Sequence, residues 1–188
     1  MNNSSNLLNY LSLGFTHVLP YGFDHILFIL SIFLLNSKLK SVIIQCSIFT
    51  LAHSISLGIA AYEIIIPNPN FIEPLIAISI LFTSLENIFH SKVYSYRLII
   101  IFVFGLIHGL GFATALKVIG IPKRDFFTSL ISFNFGVEIG QIVVLLLAYL
   151  LISRWFSHKV WYKERVVYPI SSLICCIALY WTIERIFI

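Results

Sequence analysis

The chain has 188 residues, of which 59% are hydrophobic and 11% charged, and its mean hydropathy is +0.97. An ordinary soluble domain carries about 25% charged residues, so a water-soluble globule, a disordered chain and a nucleic-acid-binding basic surface are all excluded as readings. The net charge of +4 therefore calls for a membrane explanation.

A crossing takes about 20 apolar residues. The chain is accordingly expected to be all-α: one transmembrane domain over residues 1–188, a bundle of about six helices with no separate soluble domain. The long unbroken apolar runs lack the alternation of barrel strands. The start, MNNSSNLLNYL, has neither a basic region nor a small-residue cleavage site, and is read as retained in the mature protein. Turn formers or clustered charge break the pattern at residues 36–41, 63–70, 90–97, 120–125 and 154–165.

Six segments result, at 7–35, 41–62, 72–89, 97–118, 126–153 and 166–188. The first is split by Pro20 and Gly22, which predicts a broken or re-entrant element ahead of a true span. Lys38, Lys40, Lys92, Arg97, Arg154, Lys159, Lys163 and Arg165 fall in the first, third and fifth connections, whereas Lys123 and Arg124 are in the fourth and the second has none. The positive-inside bias places the odd connections in the cytoplasm and both termini outside. Cys46, Cys175 and Cys176 lack metal-site spacing and read as packing residues.

Ionisable groups inside a bilayer are costly and mark functional sites unless a local partner explains them. The first segment holds His17, Asp24 and His25; the second, His53; the third, Glu86; the fourth, His108, flanked by Gly105, Gly109 and Gly111; the fifth, Asn134, Glu138 and Gln141 on one helical face. Counted along the helices, His25, His53, His108 and Glu138 fall in the outer half of the membrane, while Glu86 lies near the cytoplasmic end. Imidazoles with carboxylates suit Ni, Zn, Cu and Fe, and Asp24 is a candidate to orient His17 or His25 from outside the ligand set. Ordinary alternatives are polar residues at the bundle mouth for His17, Asp24 and His25, a hydrogen bond to Thr50 or a helix carbonyl for His53, and a similar buried bond for His108. Interhelical contacts would account for Asn134, Glu138 and Gln141, and pairing with His90 or Lys92 for Glu86. Trp181 and Arg185 read as an anchor at the outer interface.

The segments HVLPYGFDHILF, FTLAHSISL, EPLIAISILFTSLEN, FGLIHGLGFA, FNFGVEIGQ and YWTIER together resemble the HupE/UreJ family of hydrogenase and urease accessory membrane proteins, from His17 to Arg185. The first motif has one more residue between its His and the DH pair than the better-known nickel branch, and His108 stands alone, so the chain looks like the second branch of that family. The resemblance implies a bacterial inner-membrane permease for nickel or cobalt. It carries metal handling onto His17, Asp24, His25, His53, His108 and Glu138, with Glu86, Asn134 and Gln141 as a weaker polar path. Expected partners are the lipid bilayer and a divalent cation (Ni, Co or Zn); a second copy of the chain and metalloenzyme-maturation proteins are left open. The alternative is a membrane-embedded hydrolase holding a catalytic Zn in the same cluster, with Glu138 or Asp24 as general base.

Overall fold

The computed structural model describes residues 3–36, 38–90, 96–119 and 125–188, the side chains of 3–6 and 114–119 excepted. Lys92, Lys123 and Arg124 lie outside the described residues. The described backbone is helical, with no strand among the described residues. The helices are α1 (Asn3–Val18), α2 (Phe23–Leu35), α3 (Leu39–Ala61), α4 (Pro69–Phe89), α5 (Arg97–Ile119), α6 (Phe126–Phe156) and α7 (Lys163–Phe187).

Four of these, α3, α4, α6 and α7, are long and apolar enough to cross a membrane, and α1 with α2 makes a fifth candidate bent by 64°. α5 is apolar over Arg97–Ala113. The bend falls at the predicted break, where Pro20 has no N–H to continue a helical ladder. Its backbone is satisfied locally: Leu19 N–H donates to Phe15 O at 2.8 Å, Gly22 N–H to Val18 O at 3.2 Å, and Ile26 N–H to Gly22 O at 2.9 Å. This meets the demand a low-dielectric surrounding makes on every peptide group.

The outward surface is largely Ile, Leu and Phe, such as Ile99, Ile131 and Leu151, which in hydrocarbon need no covering. α2 is the central helix, burying Phe28, Ile29, Ile32, Phe33 and Leu34 and touching α1, α3, α4, α6 and α7. The most extensive pairings around it are α3 with α5, α1 with α6 and α4 with α7. Small residues make the first two possible. A Cβ on Gly105 would meet the Phe49 carbonyl and Ala52 Cβ, and one on Gly136 would meet the Leu11 carbonyl, so these backbones are in direct contact, as close packing between membrane helices requires.

Around the turn between α6 and α7, Arg154 lies 5.9 Å from the Trp155 ring, Arg165 5.8 Å from Trp161 and Lys163 5.4 Å from Tyr168. Basic and aromatic side chains combined in this way suit a headgroup layer. This end of the bundle also holds the C-terminus of α4 and the N-terminus of α5; the opposite end holds the α1–α2 bend.

Candidate metal centre

The α1–α2 bend sets the first two ligand candidates side by side. His17 ends α1 and His25 opens α2, and between them Gly22 sits so close to the His17 carbonyl that any Cβ would collide with it. The tight bend leaves the two imidazole centroids 4.7 Å apart in an edge-on arrangement. His53, from the middle of α3, completes the group at 6.0 Å from His17 and 5.8 Å from His25.

Each of these three rings offers one nitrogen, and the three nitrogens lie within 4.8 Å of one another. Two nitrogens bound at the usual 2.0–2.1 Å from a Zn ion are separated by at most about 4.2 Å. Small ring rotations would therefore close the trio on a cation. His25 and His53 are buried and His17 half-buried. His17 Nε2 and His25 Nε2 have no hydrogen-bond partner, although buried polar atoms are nearly always paired; the nitrogens of His53 make no bond of ordinary geometry, with the Asn134 side chain beside them.

His108 extends the cluster from α5, its ring 5.2 Å from that of His25. Its orientation is fixed by α4. Ser79 Oγ donates to Ile76 O at 2.7 Å and also lies 2.9 Å from His108 Nε2. A hydroxyl has one hydrogen; with that hydrogen on Ile76 O, Nε2 is the protonated nitrogen and donates to Oγ. The lone pair is then on Nδ1, which is buried and unpartnered. α5 comes near enough because a Cβ on Gly109 would strike the His53 carbonyl and Ser56 Oγ. Phe28, Phe49, Phe112 and Phe133 pack against the four rings.

The remaining candidates are placed elsewhere. Asp24 lines a cavity shared with His17, His25 and His108 but is engaged by Arg185 Nη2, 3.3 Å and 3.4 Å from its two oxygens. Glu138 accepts from Ser47 Oγ at 2.7 Å, in a separate groove between α3 and α6. Asn134 also lines that groove, lies beside His53, and has an unpartnered Oδ1 while its Nδ2 donates to Leu130 O at 2.8 Å. Gln141 is fully buried with both amide atoms unpartnered.

Glu86 lies at the far end, paired with Arg97 Nη1 at 2.7 Å, and Arg97 Nε donates to Gln45 Oε1 at 2.8 Å. The first residue of α5 is thus a salt-bridge partner of Glu86, one beyond the His90 or Lys92 that the sequence suggests; Lys92 lies outside the described residues. Arg97 reads in sequence as a loop cation, yet it is 1% exposed; the only advance signal was Glu86 itself, a buried acid requiring a cation.

A cavity of about 470 Å³ leads to the cluster, lined by His17, Asp24, His25, His108, Trp181 and Arg185 among others. Arg185 contributes to this mouth as well as to the helix end. Three convergent imidazoles with a fourth ring beside them, reached from one end of a helix bundle, can hold a divalent transition metal through neutral nitrogens. A family model described as HupE / UreJ protein matches residues 1–185. No curated protein and no solved structure matches the chain.

Proposed function

Because this chain belongs to the HupE/UreJ family, we propose that it is a bacterial inner-membrane permease for a divalent transition-metal cation, with nickel as the first candidate and cobalt or zinc as the others. The observation that carries this reading is the trio His17, His25 and His53, whose ligand nitrogens are brought within 4.8 Å of one another from three helices, with His17 Nε2 and His25 Nε2 lacking any partner in the protein. Such an arrangement is costly for folding and useful for a cation. In the orientation drawn from the basic connections, the cavity faces outward, and an ion enters past Asp24 to reach the imidazoles. His108, oriented by Ser79, is the next nitrogen inward.

The hydrolase reading needs a free carboxylate beside the metal as general base. Of the two candidates Glu138 points into the separate α3–α6 groove, onto Ser47, away from the imidazoles, which favours transport.

The test is flux. Purified protein in liposomes loaded with a metal-sensitive dye should take up Ni²⁺ from outside, and His25→Ala and His53→Ala should abolish uptake. Metal bound at unit stoichiometry with no flux in the parent would overturn the permease reading.

A further inference from the structure

Asp24 and Arg185 form the one ion pair that stands over the cavity among the described residues, and it differs from the deep Glu86–Arg97 pair in every measurable respect. Its N–O distances are 3.3 and 3.4 Å, against 2.7 Å for the deep pair. Its side chains are 19% and 28% exposed, against 1% and 6%. Charge-assisted contacts of full strength are shorter, about 2.7–2.9 Å, so the pair at the mouth is loose and wetted.

Arg185 also has other places to rest. Its Nη1 donates to the Glu73 carbonyl at 3.1 Å, and its guanidinium carbon lies 5.2 Å from the Trp181 ring centroid. It stands in the last turn of α7, where the negative end of the helix dipole favours a cation. Asp24 stands in the first turn of α2, where the positive end favours an anion. Each partner is therefore supported without the other, and separating them costs little.

Resting on the reading of the histidines as a cation site, we propose that Arg185 is a specificity-determining residue: it holds Asp24 until a divalent cation displaces it, and so screens entry by charge. At equal distance from Asp24, a singly charged ion gains no more Coulomb energy than the guanidinium it replaces, whereas a doubly charged ion gains twice as much. Asp24 lines the cavity directly beside His25, so once released it faces the incoming ion. Trp181, stacked on Arg185, registers the displacement.

The experiment uses the full chain in detergent with Trp155 and Trp161 replaced by Phe, leaving Trp181 as the sole tryptophan, and Zn²⁺ as a non-quenching probe. Calorimetry reads binding and Trp181 emission reads the movement of Arg185. Arg185→Gln is expected to bind Zn²⁺ about fivefold more tightly, the scale of one exposed ion pair, and to lose the emission change seen in the parent. Asp24→Asn is expected to bind more weakly. Opposite signs are the mark of competition, because an ion pair that only holds the fold would make both variants worse. If Arg185→Gln binds no more tightly than the parent, or Trp181 emission is unmoved while the parent binds Zn²⁺, the screening role is overturned and the histidine site stands. If the parent binds no Zn²⁺ and His25→Ala changes nothing, the site reading falls and the screening role with it.

Discussion

Where α4 ends and α5 begins, Glu86, Arg97 and Gln45 are joined by contacts of 2.7 and 2.8 Å, and Asn87 donates to Ser31 O and Ser171 Oγ at 3.0 and 3.1 Å. At the α1–α2 end, five imidazole nitrogens on His17, His25, His53 and His108 make no hydrogen bond. Both sets are polar groups inside apolar helices, and hydropathy treats them alike. Pairing separates them in degree: the first set, with Asn87 Oδ1 and Arg97 Nη2 left over, uses most of its polarity to bind helix to helix, whereas every histidine of the second leaves at least one nitrogen available. An unpaired buried polar group costs about 1–3 kcal/mol, so a cluster of them is retained where something from outside the chain completes it.

The sharpest way to test this contrast is to break the paired end. Arg97→Ala leaves the Glu86 carboxylate buried without its cation, and should lower unfolding stability in mixed micelles by about 3–5 kcal/mol. Zn²⁺ affinity per folded molecule should stay unchanged. At the other end the signs reverse: His53→Ala should leave stability nearly unaltered while weakening Zn²⁺ binding by more than the roughly 10–100-fold that loss of an outer partner costs. A loss of stability in His53→Ala comparable to that of Arg97→Ala would erase the distinction.

Gly109→Ala acts on the frame between the two ends. The added methyl meets the His53 carbonyl and Ser56 Oγ, and overpacking of this kind costs about 1–3 kcal/mol. It pushes α5 from α3 and so separates His108 from His53, weakening Zn²⁺ binding too. A smaller effect is expected of Ser79→Ala, which removes the acceptor for His108 Nε2. Zn²⁺ affinity should fall by about tenfold with the helices still in register, as calorimetry and circular dichroism together would report.

Much of the frame is visible in sequence because hydropathy sets helix length and Pro20 with Gly22 marks the bend. The four histidines are visible too, since each interrupts an apolar run. What sequence leaves open is azimuth, the direction a side chain points around its helix relative to helices it has not yet met. Glu86 illustrates this: its depth near the helix end is plain, but its partner, Arg97, arrives from beyond the next connection. Arg185 is similar. An arginine one turn from Trp181 reads as a headgroup anchor, and only the packing of α7 against α4, beside the start of α2, brings it to Asp24 and Glu73.

Glu138 gives the finest version of the contrast, because its depth along α6 is that of the histidine layer although its side chain points into the α3–α6 groove, onto Ser47 at 2.7 Å. Asn134, one turn earlier, is the residue through which α6 reaches His53. A glutamine at 138 keeps an oxygen for the Ser47 hydroxyl, so Glu138→Gln should change stability by no more than the roughly 0.5–1.5 kcal/mol of one hydrogen bond. Its Zn²⁺ affinity should stay within about twofold of the parent, as for independent sites. Asn134→Ala removes a neighbour of a candidate metal-ligating imidazole and should weaken Zn²⁺ by about tenfold. If calorimetry finds the two variants equally impaired, the groove and the cluster are one electrostatic unit, and the boundary between paired and unpaired polar groups lies on the far side of Glu138.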